Sequence, residues 1–182
     1  MSGPFRCSNC ADRELHFDHA RAAVVATPFL LDVLHRYKYG RQRWFAPFLV
    51  GLLVEAAAPA LTGAGWDGLV PVPLHPGREA EREFNQALEL AAALAQATGI
   101  PLRPQWVQRR GRTRTQALLT REERVKNVRG AFVLREGCRL AGQRWVVVDD
   151  VLTTGATTSE VAGALKSAGA REVCVWTLGR AV

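Results

Sequence analysis

The stretch that most limits what this chain can fold into reads Trp145-Val146-Val147-Val148-Asp149-Asp150-Val151-Leu152-Thr153-Thr154-Gly155-Ala156-Thr157. It begins as a short, uncharged, β-branched run, the pattern of a strand buried on both faces. Two adjacent carboxylates follow where the strand's carboxyl end would reach the edge of a sheet. A hydroxyl-rich turn with Gly155 then leads into a helical pattern that places Val161, Ala164, Leu165 and Ala168 on one face. In open parallel sheets, ligands bind beyond the strands' carboxyl ends, and helix N-termini there hold phosphates through unpaired N–H groups. Small residues let the backbone approach a phosphate closely, and threonine hydroxyls add donors. Paired carboxylates suit sugar hydroxyls or a hydrated Mg²⁺ rather than another anion. The chemistry implied is a phosphorylated sugar, with its phosphate in the turn and its hydroxyls on the acids. The plainer alternative for the same residues is a structural strand–loop–helix corner with a polar cap.

The rest of the chain alternates strand and helix patterns, which predicts an α/β fold around a mostly parallel sheet. Ala22 to Val25 reads as a strand. Thr27-Pro28 starts a helix whose apolar positions are Phe29, Leu30, Val33, Leu34 and Tyr37. Trp44, Phe45, Phe48, Leu49, Leu52 and Leu53 make a second helix, apolar almost all round and expected to be buried. Leu69 to Leu74 is a short strand running into a proline-punctuated turn, where Arg78 and Arg82 precede a helix from about Asn85 to Ala97. That helix is expected to bury Leu88, Ala91, Ala92 and Ala95, and Gly99-Ile100-Pro101 stops it. A second phosphate or diphosphate would meet Arg78 or Arg82 there. From Arg103 to Arg129 the chain is arginine-rich and lacks long apolar periodicity. We read Arg110, Arg112 and Arg114 as a flexible cover that closes on a polyanion; a solvated basic loop or a plain helix over Leu118 to Val128 is the alternative. Ala131 to Leu134 and Val173 to Thr177 are the remaining strands.

At 182 residues, nearly half of them apolar, the chain suffices for one domain with a sizeable core. A short N-terminal segment, residues 1–20, precedes the main domain, residues 21–182. The longest uncharged apolar stretch, Trp44 to Val54, is cut by Glu55, so no membrane span is expected. No charged segment followed by an apolar signal region opens the chain, and a cytoplasmic protein is expected. The formal charge of +7 comes mostly from arginine, since only Lys38, Lys126 and Lys166 are lysines. Arginine's planar fork grips phosphate, so phosphorylated small molecules and nucleic acid both fit, as does a merely basic composition. Cys7 and Cys10 form a Cys-x-x-Cys pair, half of a zinc knuckle. No second pair exists, so two readings stand: a metal-free pair, or a Zn²⁺ site completed by His16 and His19 or by a second chain. Cys174 sits in an apolar run and reads as a small buried hydrophobe.

The segment from Trp145 to Thr157 resembles the phosphoribosyl-diphosphate (PRPP) binding motif of type I phosphoribosyltransferases: four apolar residues, two acids, two apolar residues, Thr-Thr-Gly, any residue, Thr. Further segments widen the likeness to nearly the whole chain. They are Tyr37-Lys38-Tyr39, Pro71-Val72-Pro73-Leu74, Phe84-Asn85-Gln86, Arg112-Thr113 with Gln116, and Asn127-Val128-Arg129-Gly130-Ala131-Phe132. With these, the chain resembles the ComF family of competence-associated proteins with a phosphoribosyltransferase fold. The resemblance implies a type I phosphoribosyltransferase-like fold, a central mostly parallel sheet flanked by helices, with a small N-terminal hood. It implies PRPP or a related phosphoribosyl nucleotide as ligand, with Mg²⁺. Asp149 and Asp150 would meet the ribose hydroxyls or the hydrated metal, and Thr153, Thr154, Gly155, Ala156 and Thr157 would cradle the 5′-phosphate. Catalysis would be phosphoribosyl transfer with release of diphosphate. The alternative is a non-catalytic module that senses a nucleotide or binds single-stranded DNA beside helicase-type competence proteins. The chain departs from the family pattern in two places. One Cys-x-x-Cys pair stands where members often carry two, and Glu79, Glu81 and Glu83 occupy a stretch that is usually richer in arginine and ends in glycine.

Overall fold

Two nine-residue strands, β5 (Arg144–Leu152) and β6 (Glu172–Arg180), run side by side through the centre of the protein. The structure is a computed structural model that describes residues 15–40, 42–74, 84–110 and 128–181. β1 (His19–Val25) flanks β6 and β2 (Gly68–Pro71) flanks β5, giving an all-parallel sheet in the order β1-β6-β5-β2. Leu102 adds one parallel bridge beyond β2, through Leu69. A separate antiparallel pair joins β3 (Val107–Arg109) to β4 (Phe132–Leu134). The expected α/β class with a parallel sheet therefore holds.

Alternation along the two central strands feeds two cores, as the period of two requires. Val146, Val148, Cys174, Trp176 and Leu178 face one side, where α1 (Pro28–Tyr39), α2 (Ala46–Leu61) and α3 (Gln86–Thr98) cover the sheet. Trp145, Val147, Val173 and Val175 face the other, under α4 (Ala156–Ser167) and the β3–β4 pair. Cys174 is 1% exposed, and burial pushes its thiol pKa up to about 12, which fits a packing role.

Local chemistry explains the helix limits. The Thr27 hydroxyl accepts from the Leu30 amide at 3.3 Å and Pro28 opens α1. Asn85 caps α3 by accepting from the amides of Ala87 and Leu88, and Gly99 ends it at φ +73°. Two expectations about faces need correction. α3 buries Ala87, Leu90, Ala91 and Leu94, a spacing of three and four residues, whereas Ala92 is exposed and Leu88 only half-buried. Alanine at 91, 92 and 95 blurred the pattern, and the two leucines at 90 and 94 decide it because they bury more area. α2 and the single 3₁₀ turn before it, Arg43–Phe45, are not buried all round. Leu49, Leu53, Ala57 and Leu61 form the core face, while Trp44 and Phe48 are 69% and 49% exposed. Among the described residues one helical segment, Arg43–Leu61 with mean hydropathy 1.7, is long and apolar enough to cross a membrane by length and composition. Its inner face packs into the core against α3 and the sheet.

The end of the N-terminal segment is fastened to the main body. The Asp18 amide donates to the Val173 carbonyl at 2.9 Å, the Val173 amide returns a bond to Asp18 Oδ2 at 2.7 Å, and Lys166 pairs with the same carboxylate at 2.7 Å. His16 donates its amide to Ser159 Oγ at 3.0 Å, and its ring lies where a side chain on Gly163 would be. Cys7, Cys10 and the other residues before Leu15 lie outside the described residues, while His16 and His19 are described. No group of three or more metal-binding side chains occurs among the described ones.

One glycine fixes how β2 meets β5. A Cβ on Gly68 would come 2.3 Å from the Trp145 ring, which lies fully buried across it and 4.8 Å from the Trp106 ring. Gly68→Ala should lower the free energy of unfolding by about 1–3 kcal/mol through overpacking, read as a lower urea midpoint. An unchanged midpoint would mean that Trp145 has room to move aside.

Candidate functional site

β5 ends at a pocket of about 260 Å³, lined by the segment Asp149–Thr158, by Lys38 and Tyr39 of α1, by Val72–Leu74 and Asn85–Ala87, and by Arg109 of β3. The strand–turn–helix corner read from the sequence is thus one wall of a concave site at the carboxyl edge of the sheet. Asp149, Asp150, Thr153, Thr154, Gly155, Ala156 and Thr157 come together there.

The turn is built for close approach. Gly155 has φ +73° and ψ 0°, a left-handed conformation that glycine adopts without strain. It stands at the N-cap of α4, whose first turn carries no acidic residue. The positive end of that helix is therefore not offset by a carboxylate in its own first turn, which favours an anion. Thr154 Oγ1 accepts from the Ala156 amide at 3.3 Å, and the Thr158 hydroxyl donates to the Gly155 carbonyl at 3.1 Å. These bonds hold the turn in shape while Thr153, at the tip, is exposed to solvent. Leu15 and Phe17 back the turn from behind, within 3.7 Å of where a Gly155 side chain would begin.

The two acids differ in surroundings. Asp149 Oδ1 accepts from the Asp150 amide at 2.9 Å. Burial, and then the neighbouring Asp150 charge, raise the Asp149 pKa to about 7; that amide, Lys38 and Arg109 act in the other direction. Asp150 forms an ion pair with Lys38, whose side chain is 20% exposed against 13% for the aspartate, so water screens the pair poorly.

Lys38 is aimed by the residues beside it. The buried Tyr37 hydroxyl donates to Glu89 Oε2, and Glu89 Oε1 takes Arg43, whose guanidinium lies 4.9 Å above the Phe84 ring. Tyr37 and Phe84 rings are 5.0 Å apart. Burial, then the Glu89 hydrogen bond, keep the Tyr37 phenol protonated well above its usual range. The last turn of α1 is thereby tied to the first turn of α3, and Lys38 emerges from it toward β5. Asn85 donates to the Val72 carbonyl at 3.1 Å, fixing the entry to α3 against the strand end.

Of the other residues expected at the site, Arg110 is exposed, its amide bonded to the Ala131 carbonyl at 2.7 Å where the β3–β4 pair ends. Arg78, Arg82, Arg112 and Arg114 lie outside the described residues. Lys38, Tyr39, Asn85, Gln86 and Arg109 were not among the expected site residues. Four of these five stand in segments that carried the family resemblance, and that was the available signal. Arg109 had none beyond its place in an arginine-rich stretch.

No family model matches the chain. Similar proteins span nearly its whole length. Competence protein F of Haemophilus influenzae is 32% identical over 179 residues, covering 96% of this chain and 78% of the relative. The DNA utilization protein YhgH is 33% identical in Salmonella typhi and 32% in Escherichia coli K12, in each case over 96% of this chain and 77% of theirs. Among solved structures, a purine phosphoribosyltransferase from Pyrococcus horikoshii is similar over 74% of this chain and 84% of its own, at 21% identity and TM-score 0.48. The glutamine PRPP amidotransferase of Bacillus subtilis is similar over 71% of this chain and 25% of its own, at 27% identity and TM-score 0.46.

The raised pKa of Asp149 carries a sign for stability. The folded state holds this proton more tightly than the unfolded chain does, so the residue's contribution falls as pH rises from about 4 to about 7. Asp149→Asn should therefore unfold at a higher temperature than the parent at pH 8 without divalent cations, by about 1–3 kcal/mol in stability. That difference should vanish near pH 4. A gain that did not depend on pH would show that the carboxylate is not strained by its burial.

Proposed function

The chain belongs to the competence protein F family, and from that premise we propose that its pocket binds PRPP or a related phosphoribosyl nucleotide together with Mg²⁺, in the service of DNA uptake. The observation that carries this reading is the convergence of adjacent carboxylates, a glycine-hinged threonine turn at a helix N-terminus, and two cations in one cleft. The turn suits a 5′-phosphate and the acids suit vicinal ribose hydroxyls. Lys38 and Arg109 stand where negative charge on a diphosphate would lie near them.

The donor set fits Mg²⁺ of the kind that keeps most of its water and binds through carboxylates and ligand phosphates. Asp149 and Asp150 are hard oxygen donors, and a dication beside them would offset the burial and the Asp150 repulsion that together raise the Asp149 pKa. When bound, the metal would neutralise charge on the diphosphate. In phosphoribosyl transfer the bond from the ribose C1 to the diphosphate oxygen breaks, the electron pair leaves with diphosphate, and an acceptor nucleophile bonds to C1. This chain's contribution would be positioning and charge complementarity, with no protein nucleophile required. On this reading the work would be done in the cytoplasm, beside helicase-type competence proteins.

A second reading rests on a different feature. Exposed Trp44, Phe48 and Tyr39 stand close in sequence to Arg36 and Arg43, on a chain of charge +7. Aromatic faces with nearby cations suit single-stranded DNA, and the module would then bind nucleic acid without catalysis.

Isothermal titration separates the two. The parent chain should bind PRPP in the presence of Mg²⁺, and the Asp149→Ala, Asp150→Ala double variant should lose that heat. The same variant should bind single-stranded DNA as well as the parent or slightly better, with the steep salt dependence of phosphate contacts. No heat with PRPP at millimolar concentration would overturn the first reading.

A further inference from the structure

We infer that Lys38 is a built-in stand-in for the divalent cation: it occupies the cation position beside Asp150 until a metal-bearing ligand displaces it, so without that ligand the site disfavours free metal. The inference rests on the phosphoribosyl reading only in naming which ligand does the displacing.

Two neighbouring carboxylates in a poorly hydrated cleft attract any hard cation. Left unmatched, such a pair would fill with whatever dication is abundant, before and without the ligand. Here one member is already matched from within the chain. Lys38 pairs with Asp150 at low exposure on both sides, and its charge also acts on Asp149. An ammonium is a compact point charge on a flexible stem, able to take the place of a hydrated ion and to leave it. Its helix favours a cation at that place, because Lys38 lies in the last turn of α1, near the negative end of the helix dipole. The Tyr37–Glu89–Arg43 network holds that turn in place, so the pair is prepared by the fold and is not a chance contact of surface chains.

The consequence is an order of events. A ligand whose phosphates already carry the metal would displace the ammonium, because it brings its own negative charge, whereas a bare dication would have to compete with Lys38 for Asp150. The displaced ammonium stays in the same pocket, next to those phosphates. Arg109, which also acts on Asp149, remains in either state. Lys38 is in this sense a positioning residue that selects the metal–ligand complex over the metal.

The test titrates the free protein with Mn²⁺, followed by the electron paramagnetic resonance of the unbound ion, with no phosphate compound present. The parent should bind Mn²⁺ weakly, Lys38→Met about tenfold or more tightly, and Lys38→Arg like the parent. Binding of PRPP with Mg²⁺ should move the opposite way, weakening in Lys38→Met by about tenfold. A merely structural role would weaken both. Lys38→Gln removes the charge but keeps a hydrogen-bonding group, and gives the same comparison should methionine disturb the fold. Equal or weaker Mn²⁺ binding by folded Lys38→Met or Lys38→Gln overturns the inference. Tighter Mn²⁺ binding in these variants, with no PRPP binding by the parent, would leave Lys38's role standing and remove the phosphoribosyl reading.

Discussion

Adjacent carboxylates at the carboxyl end of a strand repel each other and lose water together, and a fold keeps both ionised only by bringing cations to them. In this protein β5 delivers Asp149 and Asp150 to the bottom of a cleft, and much of the surrounding architecture answers that placement. Lys38 comes from α1, which precedes the motif by more than a hundred residues. Arg109 comes from β3, a strand outside the main sheet whose antiparallel partner brings it back beside α4. The two cations reach the acids from elements on opposite faces of the sheet.

Keeping those cations aimed demands a rigid frame. The deep packing of Leu49, Leu53, Leu90 and Leu94 fixes α2 and α3, and Glu89 on α3 then holds Tyr37 and Arg43 at the end of α1. On the other side the fit of Trp145 over Gly68 sets how β2 lies against β5, and hence where Val72 to Leu74 and Asn85 close the cleft. The pocket is an outcome of these two packed faces, and its walls among the described residues are helix ends, strand ends and the turn after β5.

How much of this could be read from the amino-acid order follows from the range of the interactions. Strand, turn and helix around Asp149 to Thr157 are local, and their apolar periods, the acids and Gly155 mark them directly. The caps at Thr27, Asn85 and Gly99 are local in the same way, and the helices begin and end at them. Lys38 stands in Tyr37-Lys38-Tyr39, a segment that carried the family resemblance but assigned it no role; by local chemistry it looks like an ordinary polar position on an amphipathic helix, and its long-range pairing with Asp150 gives it one. The face of α3 was misread because alanines at 91, 92 and 95 carry little directional information. The uniform apolarity of α2 hid which side meets the core, since a helix of leucines and valines can dock on several faces, and Trp44 and Phe48 were left on the outer one.

The placement of Cys174 has a practical side. Its thiol lies in β6, between β1 and β5, shut off from solvent and held in its protonated, unreactive form. Alkylating reagents can reach it only when those strands part. The rate of its modification, followed by mass spectrometry at residue level, therefore reports how often the middle of the sheet opens. The molecule thus carries an internal clock for its own breathing, with no label to be introduced.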